Sequence, residues 1–580
     1  MVEKDIKYKK KRKIFKTLNK KQKIGLGTTS AIAVAAIFSG VYFFFVLQEK
    51  PEFIFKCGLA DGPDSIDPLK NPVPTNENLI ILDQIAEGLF AYDQNKTDTP
   101  VVPNLALNGT WSPDHLNFTC ILRTNVTFHD GTPFNAPAVK WNFERIYRFI
   151  ETMPNDQIWA WESAYLTSKR EPIINHTEII DNYTIKFVLN QPYVPIRELL
   201  ALWNSYILSP TSTPEDDFID IRTGRLVGTG PFILDNCEVN YWGESTETQM
   251  HANPDYWDGV PSINKVVFLD LGDSERIERM LSGDLSYIWG NRDNDTLDNF
   301  KSNPEFRVLP KKMMSLWYFG MNNKIINLTM RKAISYAFNY NHYLKEVWGG
   351  HAEKAKSPLA KQMRYSNWED FNVPYYNITR ARQILLNANW PGTAGLTAND
   401  NISAGNEWES LANSPSPLGI YNFSVSNSFM ELAANLAIED LKQIGLKVNL
   451  NSMGSLVLEH KLNEGEFNIV TLGWGVVSND PVDVINPLYS SKLDGIGNYW
   501  NFNDTQIQQW MEDALQEFNE STREQLYFNI QQLLIEELNP VVCLANPIRY
   551  DIWDSDVKGI PIDGAPLRFI LKYAYLNDSS

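Results

Sequence analysis

Residues 24–47 carry no charged side chain, and this run divides the chain into parts that cannot share a compartment. It reads IGLGTTSAIAVAAIFSGVYFFFVL. At about 1.5 Å per residue it would extend roughly 36 Å as a helix, enough for a hydrocarbon core of about 30 Å. It is apolar on every face, unlike a helix that packs one side on a soluble core. The first 23 positions hold 11 Lys and Arg against 2 acidic residues, with a basic cluster at Lys9–Lys13. The positive-inside rule puts that end in the cytoplasm and the chain after Leu47 outside the cell membrane, extracellular or periplasmic. A cleaved leader would have a shorter apolar region and small residues at its cleavage site, and FFFVLQEK has none. The expected organisation is a basic segment at 1–23, a single transmembrane anchor at 24–47, and an outer part that folds as a soluble monomer.

The outer part is strongly acidic. The whole chain of 580 residues has a net charge of −18, although its first 23 positions carry +9. Such a surface repels phosphate backbones, which excludes nucleic acid as a partner. Apolar residues make up 43% and charged residues 21%, which fits a globular protein, and the length calls for several domains. Fourteen Asn-x-Ser/Thr sequons, among them Asn108, Asn117, Asn125, Asn175 and Asn327, all lie beyond the anchor and suggest glycosylation. The cysteines are Cys57, Cys120, Cys237 and Cys543, too far apart in sequence for a zinc motif. Outside the cell they allow one or two disulfides, with three complete pairings open.

β-forming runs recur at 116–124, 183–190, 263–271, 315–322, 446–453 and 467–474. Helical patterns lie between them at Pro137–Phe149, Asp273–Leu281, Thr329–Val347, Thr379–Ala388, Met430–Ile444 and Thr505–Glu537, the last in more than one piece. Residues 391–417, rich in Gly, Ser, Asn and Pro, read as an exposed loop. The interleaving gives an α/β class with mixed sheets.

Motifs for catalysis and cofactor binding are missing. There is no GxGxxG before a helix, no GxxxxGK[ST], no GxSxG and no HExxH. We therefore expect neither an enzyme, a metal site nor a cofactor. His129 in FHDGTPF is followed by Asp130, but Asp-Gly-Thr-Pro is turn chemistry. Aromatic residues say more. Trp159 and Trp161 in DQIWAWESAY and Trp474 in LGWGVVSNDP stand in polar surroundings. A site for extended ligands needs flat apolar walls with a few polar anchors. Trp474 follows an apolar strand and precedes a loop, where α/β folds place ligands.

Ordered blocks then carry a resemblance. They are Asp64-Ser-Ile-Asp-Pro, Ala86-Glu-Gly-Leu-Phe, Val102-Pro-Asn-Leu-Ala, Phe118 to Val139 with HDGTPF at its centre, Val227-Gly-Thr-Gly-Pro-Phe and Asn253-Pro-Asp-Tyr-Trp-Asp-Gly. Leu281-Ser-Gly-Asp-Leu, Met330-Arg-Lys-Ala-Ile-Ser-Tyr-Ala-Phe, Leu441-Lys-Gln-Ile-Gly-Leu and Gly473-Trp-Gly…Asp480-Pro follow. From Phe53 to its end the chain resembles the extracellular solute-binding proteins of peptide-type ABC transporters, the oligopeptide/dipeptide/nickel-binding group (family 5).

The resemblance implies a periplasmic-binding-protein fold of two lobes with a hinge plus an extra domain. Lobe I would be 51–80 with 190–271 and 540–580, the extra domain 81–189 and lobe II 272–539. The chain would capture a peptide between the lobes, deliver it to ABC permease subunits and carry out no bond chemistry. A surface sensor or adhesin on the same fold is the alternative role. The implied substrate-binding residues are Gly473, Trp474, Val477, Asn479 and Asp480, joined by Trp159 and Trp161. Gly473 would let a ligand backbone approach. One departure stands out. Peptide-binding members carry Trp-x-x-Asp-Tyr, whose acid meets the peptide ammonium, and here Val477 replaces that acid. Either another acid, such as Asp480, takes over, or the ligand lacks an ammonium, as an oligosaccharide does.

Overall fold

The structure, a computed structural model, describes residues 52–577 apart from 71–75, 97, 153–163, 168–170, 224, 242, 291–292, 400–405, 477, 494–496 and 562–569. The expected anchor at 24–47 and the candidates Trp159, Trp161 and Val477 lie outside the described residues. Among the described residues no helix is long and apolar enough to cross a membrane.

The chain enters through β1 (Ile54–Leu59), whose inner residues are buried on both faces. A short hairpin of β2 (Phe90–Tyr92) and β3 (Val101–Pro103) follows the Asn76–Ile85 helix. Next comes a separate four-stranded sheet of β4 (Ala106–Trp111), β5 (Asn117–Leu122), β6 (Ile174–Asp181) and β7 (Thr184–Leu189), ordered β4-β5-β7-β6. The Ala136–Thr152 helix lies on it, with Phe143 edge-on to Phe187 at 5.0 Å. The core under this sheet runs without a break into that of the first lobe. The chain then adds β8 (Phe232–Val239), β9 (Ser245–Ala252) and β10 (Lys265–Asp270), and β10 pairs parallel with β1.

The first lobe does not end at residue 271 as expected. Strand β11 (Tyr287–Trp289) pairs with β1, and Met280, Leu285, Leu297 and Phe300 share a core with Leu271 and Ile552. Strand β12 (Phe306–Lys312) stays in the same lobe. The crossing comes at Met313 and Met314, which lead into β13 (Ser315–Met321). Burial of these apolar side chains places the boundary some 40 residues later than the resemblance suggested.

The second lobe adds β14 (Ala352–Lys354), β15 (Gly419–Val425), β16 (Leu446–Ser452) and β17 (Ile469–Gly475), in the order β16-β15-β17-β13. Strand β13 has no polar residue after Ser315 because each of its faces has its own core. Phe319 and Met321 enter one core, and Leu316 and Tyr318 enter the other. The final long strand, β18 (Val541–Asp554), belongs to both lobes. Val541–Ala545 pairs with β13, and residues 548–554 pair with β12. The expected assignment of 540–580 to the first lobe alone therefore fails. The two crossings run side by side, and the Met313 N–H donates to the Pro547 carbonyl at 2.9 Å.

Strands expected at 116–124, 183–190, 263–271, 315–322, 446–453 and 467–474 form at β5, β7, β10, β13, β16 and β17. The helix expected over Thr329–Val347 breaks at Asn339, whose side chain caps the second piece by accepting from the His342 N–H. The loop expected at 391–417 contains the Glu407–Ala412 helix, held in place by the fully buried Trp408. All four cysteines are free thiols.

Candidate functional site

Strand β17 ends at Gly475 and the chain turns through residues 476–481 into the Val482–Tyr489 helix. Local polar bonds fix this turn. The half-buried Trp474 donates its indole N–H to the Asp483 carbonyl at 2.8 Å. The Asp483 carboxylate accepts from the Ser478 N–H at 3.0 Å, and Asp480 accepts from the Val482 N–H at 3.0 Å. Pro481 supplies the helical φ at the start of the helix.

Gly473, Trp474, Asn479 and Asp480 thus stand together, but two of them do other work than expected. A side chain at Gly473 would come within 2.7 Å of the Trp317 ring, so the space there is taken by Trp317 rather than left for a ligand. Asp480 is 1% exposed and is held by Arg523, whose two terminal nitrogens lie 2.7 and 2.9 Å from its two oxygens. A carboxylate paired in this way is not open to a ligand ammonium, so Asp480 cannot replace the acid missing at 477. Asn479 reaches across the lobes. Its amide donates to the Asp98 carbonyl of the first lobe and accepts from the Arg364 N–H at 2.9 Å.

Several partners around this turn come from segments that no sequence motif marks. Tyr365 and Tyr527 flank Arg523, whose guanidinium lies 5.6 and 5.2 Å from their rings. Burial pushes both phenols up from their ordinary range. Arg364 pairs with Glu520 at 2.9 Å. From the first lobe come Tyr193, buried and likewise raised, and Glu198. These residues come from separate segments, and no local spacing links them.

The lobes touch elsewhere along the same seam. The Val194 N–H donates to the Leu515 carbonyl at 2.8 Å. His115 stacks on Phe518 at 3.7 Å, with Trp111 edge-on to the same ring at 5.1 Å. A cavity of about 50 Å³ lies between Ile173 and Tyr193 on one side and Met511 and Leu515 on the other. A larger one, about 310 Å³, is lined by first-lobe residues, where Arg123 stacks 4.0 Å over Trp257. Among the described residues no three His, Cys, Asp or Glu side chains converge as a metal site.

The blocks that carried the resemblance meet as structural staples. Glu87 accepts from Thr229, Tyr256 and Trp257, each at 2.9 Å, and so joins three blocks at one buried carboxylate. Asp67 binds Arg145 at 2.7 Å and accepts from the Ile219 N–H at 2.8 Å. His129 is half-buried and donates through Nε2 to the Gly230 carbonyl at 2.9 Å, a structural role rather than a catalytic one.

Comparison with known proteins agrees with this architecture. Residues 100–495 match the family model "Bacterial extracellular solute-binding proteins, family 5 Middle". The chain is 23% identical over 501 residues to the probable D,D-dipeptide-binding periplasmic protein DdpA of Escherichia coli, covering 84% of this chain and 87% of that one. It is 25% identical over 492 residues to heme-binding protein A of Haemophilus influenzae, covering 82% and 84%. Among solved structures, the periplasmic binding protein DppA of Helicobacter pylori in complex with the peptide STSA superposes with a TM-score of 0.73 at 22% identity, covering 90% of this chain and 98% of that one. These relatives are binding proteins, not enzymes. With its model matched over more than half of the length, the chain belongs to the bacterial extracellular solute-binding proteins of family 5.

Proposed function

We propose that this chain is the outward-facing capture component of an ABC importer, tethered by residues 24–47 and closing its two lobes on peptides or related oligomeric solutes. The arrangement of the crossings carries the reading. Two adjacent strands join the lobes, and Asn479 spans the seam from the turn after β17 to Asp98. Closure over a ligand then needs bending only near Met313 and Asn546. The 24-residue uncharged span and the basic segment before it support the tether.

Mass spectrometry of ligand released from the purified full-length chain tests the cargo. Short peptides are expected, and a pool of oligosaccharides without peptide would refute the peptide reading. Val477 favours that second cargo, because a sugar needs no acid at its position. N-terminal sequencing of membrane-purified protein tests the tether. Residues before Ile24 are expected, and a mature start near Gln48 would refute it.

A further inference from the structure

The cavity of about 310 Å³ in the first lobe lies apart from the seam, and none of the described residues that line it belongs to the second lobe. Its volume stands at the lower end of ordinary small-molecule sites, about 300–1,000 Å³. At about 30 Å³ per water it has room for roughly ten waters, or for a solute of about as many non-hydrogen atoms. The hairpin of β2 and β3 lines it with Phe90, Tyr92 and Val102, and Trp257 adds a further aromatic surface. Arg123, directly after β5, is the cation that opens onto it.

Two contacts fix Arg123 in place. Its Nε–H donates to the Asn104 carbonyl at 2.6 Å, and its guanidinium lies 4.0 Å over the Trp257 ring. Among the described residues neither of its terminal nitrogens has a hydrogen-bond or carboxylate partner. The acids that line the cavity do have partners. Asp83 accepts from the Tyr206 hydroxyl, and Asp93 accepts from the Asn95 N–H at 3.1 Å. Asp258 pairs with Lys572 at 2.9 Å, and Glu87 accepts from Thr229, Tyr256 and Trp257. The half-buried guanidinium is therefore left facing the cavity without an anion. Gln94, in the hairpin loop, points the same way. It lines the cavity and is 7% exposed, yet among the described residues its side-chain amide makes no hydrogen bond. Buried amides ordinarily have partners.

We propose that this cavity is a second solute site, separate from the cleft between the lobes, and that it takes a small organic carboxylate. Arg123 holds the carboxylate through its two terminal nitrogens. A planar fork laid against an indole presents two parallel N–H groups, which match the two oxygens of a carboxylate. Gln94 supplies a hydrogen bond to the same solute, and Phe90 and Tyr92 cover its apolar body. The uncharged amide of the same acid meets the same walls but brings no charge to Arg123. The proposal does not rest on the peptide reading, because no residue of the cleft takes part.

The test uses the full-length chain in lipid nanodiscs, with empty nanodiscs as the blank. Phenylacetate and hexanoate are the probes, phenylacetamide and hexanamide are their uncharged counterparts, and binding is read by equilibrium dialysis. The wild type should bind at least one acid about tenfold or more tightly than its amide, the range of a hydrogen bond to a charged group. Arg123→Gln should bring acid and amide to within about twofold, and Arg123→Lys should keep part of the preference. Gln94→Leu should weaken the acid by about threefold or more. Trp474→Ala, on the seam, should bind the acid as the wild type does. Arg123 also holds the Asn104 carbonyl, so if Arg123→Gln does not fold, Gln94→Leu decides. Wild-type protein that binds neither acid, or binds each no better than its amide, overturns the proposal. So does wild-type binding in Gln94→Leu, or a loss in Trp474→Ala as large as that in the cavity variants, which would place the acid in the cleft. None of these outcomes bears on peptide capture, which the released-ligand analysis tests separately.

Discussion

Arg523 grips Asp480 through both guanidinium nitrogens, at 2.7 and 2.9 Å, with each side chain 1% exposed. The pair ties the turn after β17 to the Glu520–Gln532 helix, and Asn479 of that turn reaches Asp98 of the first lobe. Its strength comes from mutual burial, so removing one partner leaves a charge stranded. Arg523→Ala should cost about 3–5 kcal/mol in urea unfolding of the ligand-free protein. A loss below about 1 kcal/mol would mean that water reaches Asp480.

Gly473 and Trp317 give a second prediction. A methyl group at 473 would lie 2.7 Å from the Trp317 ring, which itself stands edge-on to Phe429 and Trp348 at 4.8 and 5.4 Å. With the ring packed on its other sides, Gly473→Ala should cost about 1–3 kcal/mol. The double variant Gly473→Ala with Trp317→Leu should cost less than the sum of the two single changes. Additive costs would show that Trp317 does not occupy the space.

Trp474 is half-buried, unlike the fully buried Trp500. Trp500→Ala should cost about 3–5 kcal/mol, as core truncations do. Trp474→Ala should cost markedly less, mainly the hydrogen bond to Asp483, about 0.5–1.5 kcal/mol. It should instead weaken capture of ligand, read by equilibrium dialysis. Equal losses of stability in the two variants would make Trp474 a core residue.

What was legible in the sequence follows from how local each signal is. The β13 and β17 strands and the Asp273–Leu281 helix announce themselves by side-chain period, because their burial repeats along the chain. The family blocks could be read because each is a short run with a fixed job, such as Glu87 drawing together Thr229, Tyr256 and Trp257. The lobe boundary could not be read. Residues 272–312 return to the first lobe through pairing with β1 and with residues 548–554, both distant in sequence. The partner of Asp480 stayed hidden for the same reason, since Arg523 is 43 residues away. The role foreseen for Gly473 failed because its neighbour Trp317 is a cross-strand partner, set by register alone.

Some of the sequons have a physical explanation apart from modification. Asn327, Asn377 and Asn519 each cap a helix, accepting from the N–H of Met330, Arg380 and Thr522. An Asn followed two positions later by Thr or Ser is common where a helix begins, since these residues favour its start. Replacing any of the three by Ala should cost about 1 kcal/mol of stability, and replacing it by Asp, which destroys the sequon but keeps the acceptor, should cost nearly nothing. The comparison is made by thermal unfolding. A loss from Asp as large as that from Ala would point to an attached glycan instead.

His129 makes stability depend on acid in a direction that can be worked out. Burial lowers its ring to about 4 from an ordinary value near 6.5, so it stays neutral while donating to Gly230. The unfolded chain takes up this proton first as pH falls. The stability due to His129 is therefore complete above about pH 6.5 and is lost progressively down to about pH 4, a total of about 3 kcal/mol. Asp440 works in the opposite sense, because burial raises its carboxyl to about 6 and its protonated form favours the fold. Only a difference between variants isolates His129. Urea unfolding of the wild type and of His129→Gln at pH 7.5, 5.5 and 4.5 supplies it. His129→Gln should be the less stable at pH 7.5, and the gap should close by pH 4.5. A gap that stays constant across the three pH values would show that folding does not lower the His129 ring from its ordinary value.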